Sequence, residues 1–208
     1  MMIIIGSILS YLIGSAPTTY IFCKMYKGID IRQHGLRNVG ATNVFRVLGK
    51  GPGVIVLLWD ILKGILAVVF VADILGTTKT FNRILFAVCV VSGHNWTVFL
   101  KFKGGKGIAT SFGVLLGLAI KIAAIRPVLL LIVFIWLVCF FITGIISLSS
   151  IVASTLLPII MVITRQSVEV VCLGIVFCIF IVLCHHQNIK RLLSGQEPRD
   201  LLPFRKRK

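Results

Sequence analysis

Apolar positions in this chain come in long unbroken runs, and the polar positions are gathered between them. Runs of membrane-spanning length extend from Ile3 to Phe22, Val54 to Leu75, Ile84 to Phe99, Ile108 to Ala124, Val128 to Ile145, Leu148 to Ile163 and Val168 to Cys184. A helix needs about 20 apolar residues to cross a hydrocarbon core of about 30 Å, with shorter or tilted spans tolerated. The pattern therefore predicts an all-α membrane protein, a bundle of seven transmembrane helices. The division between the fifth and sixth runs rests on Gly144 to Ser149, where no charge interrupts the apolar stretch.

With 208 residues of 58% hydrophobic composition, the spans use up nearly the whole chain. One polytopic domain over residues 1–208 is expected, with no soluble module. A formal charge of +16 would suggest nucleic acid in a soluble chain. In a chain this apolar it reports topology instead, and no nucleic-acid partner is expected. Sixteen of the 22 basic residues follow spans one, three and seven: Lys24, Lys27, Arg32, Arg37, Arg46, Lys50, Lys101, Lys103, Lys106, Lys190, Arg191, Arg199 and the terminal RKRK. The other face holds Lys79, Arg83, Lys121, Arg126 and Arg165, while Lys63 lies inside a span. Because Lys and Arg concentrate in cytoplasmic loops, this predicts an outside N-terminus and a cytoplasmic C-terminus. The first run lacks a basic n-region and a small-residue cleavage site, so it reads as a span rather than a signal peptide. Six cysteines in or beside apolar runs, without C-x-x-C spacing, read as small core residues. No internal repeat is visible.

Two loops on the basic side carry candidate chemistry. GHNWTVFLKFKGGKGIATS, from Gly93 to Ser111, places Gly104, Gly105 and Gly107 around Lys106. Glycines let the backbone turn tightly and expose N–H groups, and a helix starting near Ile108 would add its positive end. Gly107 rather than Ser or Thr follows the lysine, so this is no nucleotide P-loop. The loop is either a specific phosphate cradle or a basic contact for lipid headgroups. DIRQHGLRNVGATNVFRVLG, from Asp30 to Gly49, offers Arg32, Arg37 and Arg46 as forked donors for a second anion site, or else is a loop whose asparagines satisfy its own backbone.

Three further polar groups interrupt apolar sequence. At the end of the last span His185 and Asn188 share a face if the helix continues, with Arg191 completing the row; His186 faces elsewhere. Asp60 and Lys63, at i,i+3 inside span two, read most simply as a buried salt bridge that locks packing. Ser147, Ser149 and Ser150 hydrogen-bond either a ligand or a neighbouring helix. No His is followed five positions later by Asp, and there is no G-x-S-x-G elbow and no metal-ligand cluster. Any reaction must begin from an activated substrate.

Taken together, YLIGSAPTTY, DIR, NVGATNVFRVLG, DILKG, GH, FKGGKGIATS, SLSSI and HxxNIKRLLSGQE resemble the motifs of the bacterial membrane-integral, acyl-phosphate-dependent glycerol-3-phosphate acyltransferases. The resemblance implies a seven-span enzyme of the cell inner membrane with its active site facing the cytoplasm and no cofactor. It implies transfer of an acyl group from acyl phosphate to the 1-hydroxyl of glycerol 3-phosphate, giving lysophosphatidic acid and inorganic phosphate, the first acylation of phospholipid synthesis. Implied partners are these two substrates, membrane lipids and a soluble protein that forms the acyl phosphate. On the same resemblance, Lys106 and Arg46 bind phosphate and stabilise developing charge, with His185 and Asn188 as the other catalytic residues. Asn38 and Asn43 shape the first loop and contact substrate; Arg37, at a position where the chain departs from the family, offers substrate an ionic contact in place of the lost hydroxyl. The backbone of Gly104, Gly105 and Gly107 holds phosphate oxygens, and Ser150 is a polar site residue. The acceptor's own phosphate is the implied proton acceptor.

The chain departs from the family pattern twice. Leu36 and Arg37 stand where the first motif reads Ser-Gly, and Thr97 where G-H-x-x-P has proline. The first departure raises the rival of a degenerate member kept for an interaction. A transporter of a phosphorylated metabolite or lipid is the rival from another class, favoured only by the intramembrane charges Asp60 and Lys63.

Overall fold

The computed structural model describes residues 1–199, so the terminal RKRK used in the topology argument lies outside the described residues. Every regular element among the described residues is helical, as the long apolar runs require: with no water to satisfy it, backbone at membrane depth must bond within its own helix. The chain forms two compact units, Met1–Lys121 and Ile122 onward.

The first unit contains α1 (Met2–Ser15), α2 (Thr18–Lys27), α3 (Ala41–Leu48), α4 (Lys50–Ile65), α5 (Ala72–Ile74), α6 (Thr80–Asn95) and α7 (Ile108–Lys121). A π-helical stretch, Leu66–Val71, joins α4 to α5. α1 packs on α6 and α4 on α7, each pair through reciprocal glycines. A methyl on Gly14 would strike the Val90 carbonyl and one on Gly93 the Tyr11 carbonyl, while Gly64 and Gly113 meet the Thr110 and Ile61 carbonyls in the same way. Small residues let backbones approach closely where lipid supplies no hydrophobic drive for association. Within the π stretch the buried Val68 carbonyl accepts from Arg83; Arg83 and Lys121 both pair with Asp73.

The run expected to span Ile3 to Phe22 as one helix is broken at Ala16–Pro17, where proline offers no N–H and restricts the residue before it. Carbonyls stranded at the break find new donors: Thr97 Oγ1 donates to Ser15 O at 2.6 Å and Lys63 Nζ to Ala16 O at 2.7 Å.

The second unit contains α8 (Arg126–Thr143), α9 (Ile146–Ile163), α10 (Val168–Cys184) and α11 (His186–Leu193), with α9 packed on both α8 and α10. The division without a charge falls where expected: Gly144 ends α8 in a left-handed conformation (φ 69°), and its N–H donates to Phe140 O at 2.7 Å. Leu130, Phe134, Leu137 and Phe141 lie exposed along α8 at helical spacing, a face for lipid.

Among the described residues, five helical segments are long and apolar enough to cross a bilayer: Met2–Lys27, Lys50–Ile74, Thr80–Leu100, Ala123–Thr143 and Ile146–Ile163. Val168–Cys184 and His186–Leu193 make a sixth only if counted as one span bent by 64°. Ile108–Lys121 is apolar but has only 14 residues, about 21 Å of helix.

Candidate active site

The first basic loop is organised around Asn43, which is fully buried at the start of α3. Its oxygen accepts from Leu36 N at 2.8 Å, and its amide nitrogen donates to the carbonyls of His34 and Asn38, each at 3.0 Å, and of Ile31 at 3.4 Å. Asn43 is expected both to shape this loop and to contact substrate; the amide is seen holding the loop's own backbone groups. Asn38, half-buried, is fastened through its carbonyl.

The loop's three arginines divide by role. Arg32 is bound to the Asp30 carboxylate at 2.7 Å and lies over the Tyr20 ring at 4.9 Å. Its hydrogen bond holds the Asp30 carboxyl below the ordinary carboxylate range. Arg46 sits half-buried in the last turn of α3, and Arg37 is exposed. Arg37 also adopts φ 56°, left-handed like Gly35 beside it at φ 58°. Glycine adopts this conformation without steric cost, whereas arginine bears strain in it.

The glycine loop is moulded onto the end of α6. Gly104 N donates to Asn95 O and Gly105 N to His94 O, each at 3.0 Å. Before it, Lys101 and Phe102 take left-handed values of 55° and 60° to reverse the chain, Phe102 N donating to Thr97 O at 2.8 Å. Gly105 is buried where two groups converge: a methyl there would overlap His94 Nε2 and come within 2.9 Å of the Val39 carbonyl. Val39 belongs to the first basic loop, so the two basic loops meet at Gly105. Lys106 follows, half-buried. Gly107 (φ 78°) then starts α7 at the expected Ile108, its carbonyl accepting from Ser111 N at 2.7 Å. The first-turn N–H groups of α7 have no acceptor within the helix and carry its positive end. Asn95, 3% exposed, lies against Gly107, and its side-chain amide makes no hydrogen bond among the described residues.

Asp60 and Lys63 pair at 3.0 Å as expected, within a larger network: Thr18 Oγ1 donates to Asp60 at 3.0 Å, and Lys63 also caps Ala16 O. A pair neutralised inside the fold removes the one feature that favoured a transporter.

In the second unit the last span does not continue straight. It breaks at His185, so His185 and Asn188 do not share a row on one helix. Both are buried, and His185 Nδ1 lies 2.8 Å from the Ile181 carbonyl, which fixes the ring. Asn188 Nδ2 donates to Glu197 at 2.6 Å; the same oxygen accepts from Ser147 at 2.6 Å and the other from Arg191 Nε at 2.7 Å. Burial opposes ionisation of Glu197, but these three hydrogen bonds prevail and hold its carboxyl below the ordinary range. Ser150 donates to Ile146 O at 2.8 Å and accepts from Trp136 Nε1 at 3.1 Å, so its hydroxyl joins α9 to α8. His186 is exposed, apart from this cluster.

The first unit thus presents cations, glycine backbone and a helix N-terminus together, a chemistry suited to phosphoryl oxygens. The family model for glycerol-3-phosphate acyltransferase matches residues 4–195. The chain belongs to the glycerol-3-phosphate acyltransferase family. A glycerol-3-phosphate acyltransferase of Carboxydothermus hydrogenoformans is 40% identical over 94% of this chain and 95% of its own length. One of Clostridioides difficile is 40% identical over 93% of each. Crystal structures of PlsY (YgiH), an integral membrane glycerol 3-phosphate acyltransferase, share the fold. The glycerol 3-phosphate form has a TM-score of 0.85 at 35% identity over 95% of this chain and 94% of that one, and the lysophosphatidic acid form has 0.83 at 34%. As a glycerol-3-phosphate acyltransferase this is a membrane-integral enzyme. Sequence reasoning left Glu197 without a role although its motif was in view. It also passed over Asn95, whose only signal was its place beside His94 at the end of a span.

Proposed function

We propose that this acyltransferase takes its acyl group from acyl phosphate and delivers it to the 1-hydroxyl of glycerol 3-phosphate, releasing lysophosphatidic acid and inorganic phosphate as the first acylation of phospholipid synthesis. The observation that carries the reading is the meeting of the arginine loop with the GGKG loop at Gly105, since both substrates carry phosphate. The hydroxyl oxygen attacks the acyl carbon, the carbon–oxygen bond to phosphate breaks, and phosphate leaves with the electron pair. Because that leaving group is good, modest base assistance suffices, and the acceptor's own phosphate takes the hydroxyl proton. Lys106, Arg46 and the N–H groups of Gly104, Gly105 and Gly107 bind phosphate and stabilise charge on the transferred group. Asn38 and Arg37 contact substrate, while Asn43 positions Asn38. His185, Asn188 and Ser150 are further polar residues of the reaction, Asn188 oriented by Glu197.

The same reading takes one polytopic domain with seven spans, counting the bent pair once and the short Ile108–Lys121 helix as a crossing. It places the N-terminus outside and the C-terminus and active site on the cytoplasmic face of the cell inner membrane, on the distribution of Lys and Arg. A soluble partner supplies the acyl phosphate.

The test offers purified protein labelled glycerol 3-phosphate with acyl phosphate, acyl-CoA or acyl carrier protein thioester. Lysophosphatidic acid should form from acyl phosphate alone and be largely lost in folded K106A and R46A. Equal product from a thioester would overturn the donor, and wild-type turnover in either variant would overturn that residue's role.

A further inference from the structure

His94 lies at the end of α6, and its backbone and ring both serve the glycine loop. Its carbonyl accepts from Gly105 N at 3.0 Å, and its Nε2 edge rests against the Gly105 α-carbon, where the Val39 carbonyl also arrives. Behind the ring, Nδ1 faces Asp60 Oδ1 at 3.7 Å. That is too long for a hydrogen bond, so the carboxylate acts on the ring electrostatically and favours the tautomer with its proton on Nδ1. Asp60 is in turn fixed by Thr18 and Lys63, each at 3.0 Å, and Lys63 is anchored to the broken end of α1 through Ala16 O. Ser15, Thr18, Asp60, Lys63, His94 and Gly105 line one small cavity. Asp60, Lys63 and His94 are each at most 7% exposed, so the buried Asp60–Lys63 charges cost stability that a simple apolar contact would not.

We propose that His94 is a positioning residue, braced by the Asp60–Lys63 pair, which sets the spacing between the arginine loop and the GGKG loop. This deepens the reading given above and rests on it. A rigid polar wedge suits the task because Gly105 has no side chain of its own to hold the two loops apart. A displacement of about an ångström at Lys106 is enough to cost roughly 100-fold in rate.

The test compares H94A, H94Q, the double variant D60N/K63M and the triple D60N/K63M/H94A. The double variant removes both charges together and leaves neither uncompensated. Glycerol 3-phosphate binding is measured by calorimetry on the full-length protein in micelles, with kcat, KM and Tm alongside. In folded protein, H94A and D60N/K63M should each weaken binding and lower kcat/KM at least tenfold, H94Q should recover part of the loss, and the triple should be no worse than H94A alone. T18V, which removes one bond to Asp60, should give a smaller loss of the same kind and carries the test if the double variant fails to fold. Unchanged binding and kcat/KM in folded H94A, or additive losses in the triple, would overturn the brace. Absence of glycerol 3-phosphate binding by the wild type would instead overturn the function proposed above.

Discussion

Gly105→Ala tests whether the meeting of the two basic loops controls activity. The added methyl would overlap His94 Nε2 and stand 2.9 Å from the Val39 carbonyl, roughly half an ångström inside ordinary contact. Neither neighbour can yield freely. The ring is backed by Asp60, and Val39 is 6% exposed in a cluster with Cys23, Ile31, Val44, Val56 and Leu100. Overpacking of this kind costs about 1–3 kcal/mol. If the glycine loop moves to escape it, the cost appears in substrate binding and in the transition state, about 5- to 150-fold in kcat/KM. The assay measures kcat and KM for glycerol 3-phosphate in purified protein, with thermal unfolding in parallel. Gly51→Ala is the control, because nothing lies within 4 Å of its added methyl; it should be neutral or slightly stabilising. Kinetics within twofold of wild type for Gly105→Ala would refute the reasoning, whether or not Tm fell, because the strain would then have been absorbed away from the phosphate-binding backbone.

Arg37→Gly should leave Tm unchanged or slightly raised. It relieves about 1–2 kcal/mol of left-handed strain and is offset by the greater freedom of glycine in the unfolded chain; KM for glycerol 3-phosphate should rise through loss of the cation. A clear fall in Tm would show that Arg37 is held by contacts rather than strained. Glu197→Gln replaces an acceptor of three hydrogen bonds with a group whose NH2 end must face a donor, and should cost about 1–3 kcal/mol in thermal unfolding. The Glu197 carboxyl is depressed in the fold below its usual 4.5, so its stabilisation is complete above that value and is lost as pH falls through the lower folded one. Wild-type Tm should therefore fall on acidification below about pH 4.5 more steeply than that of Glu197→Gln, and parallel profiles would refute the assignment.

How much was legible beforehand follows from the range of each interaction. Apolar runs report helices because a bilayer leaves the backbone no other partner, so the expected bounds of α8, α9 and α10 lie within about two residues of those observed, the usual uncertainty of a helix end. Gly107 and Ile108 marked the start of α7 through local rules of backbone and helix polarity. The break at Pro17 was also local, yet it was missed because hydropathy alone runs straight across it. The bend at His185 left no comparable mark.

What the sequence by itself determined was the class of molecule and the kinds of groups available to phosphate, since these depend on composition and short spacing. Tertiary structure alone decided which polar groups are already committed to the protein. Asn43 is taken up by its own loop, Ser150 by Trp136, and Glu197 by Ser147, Asn188 and Arg191. It also made Gly105 the point where His94 and Val39 meet. Ser147 with Glu197 and Gly105 with Val39 join residues far apart in the chain, and even the short-range pairings depend on the geometry of the partner, which no pattern along the sequence encodes.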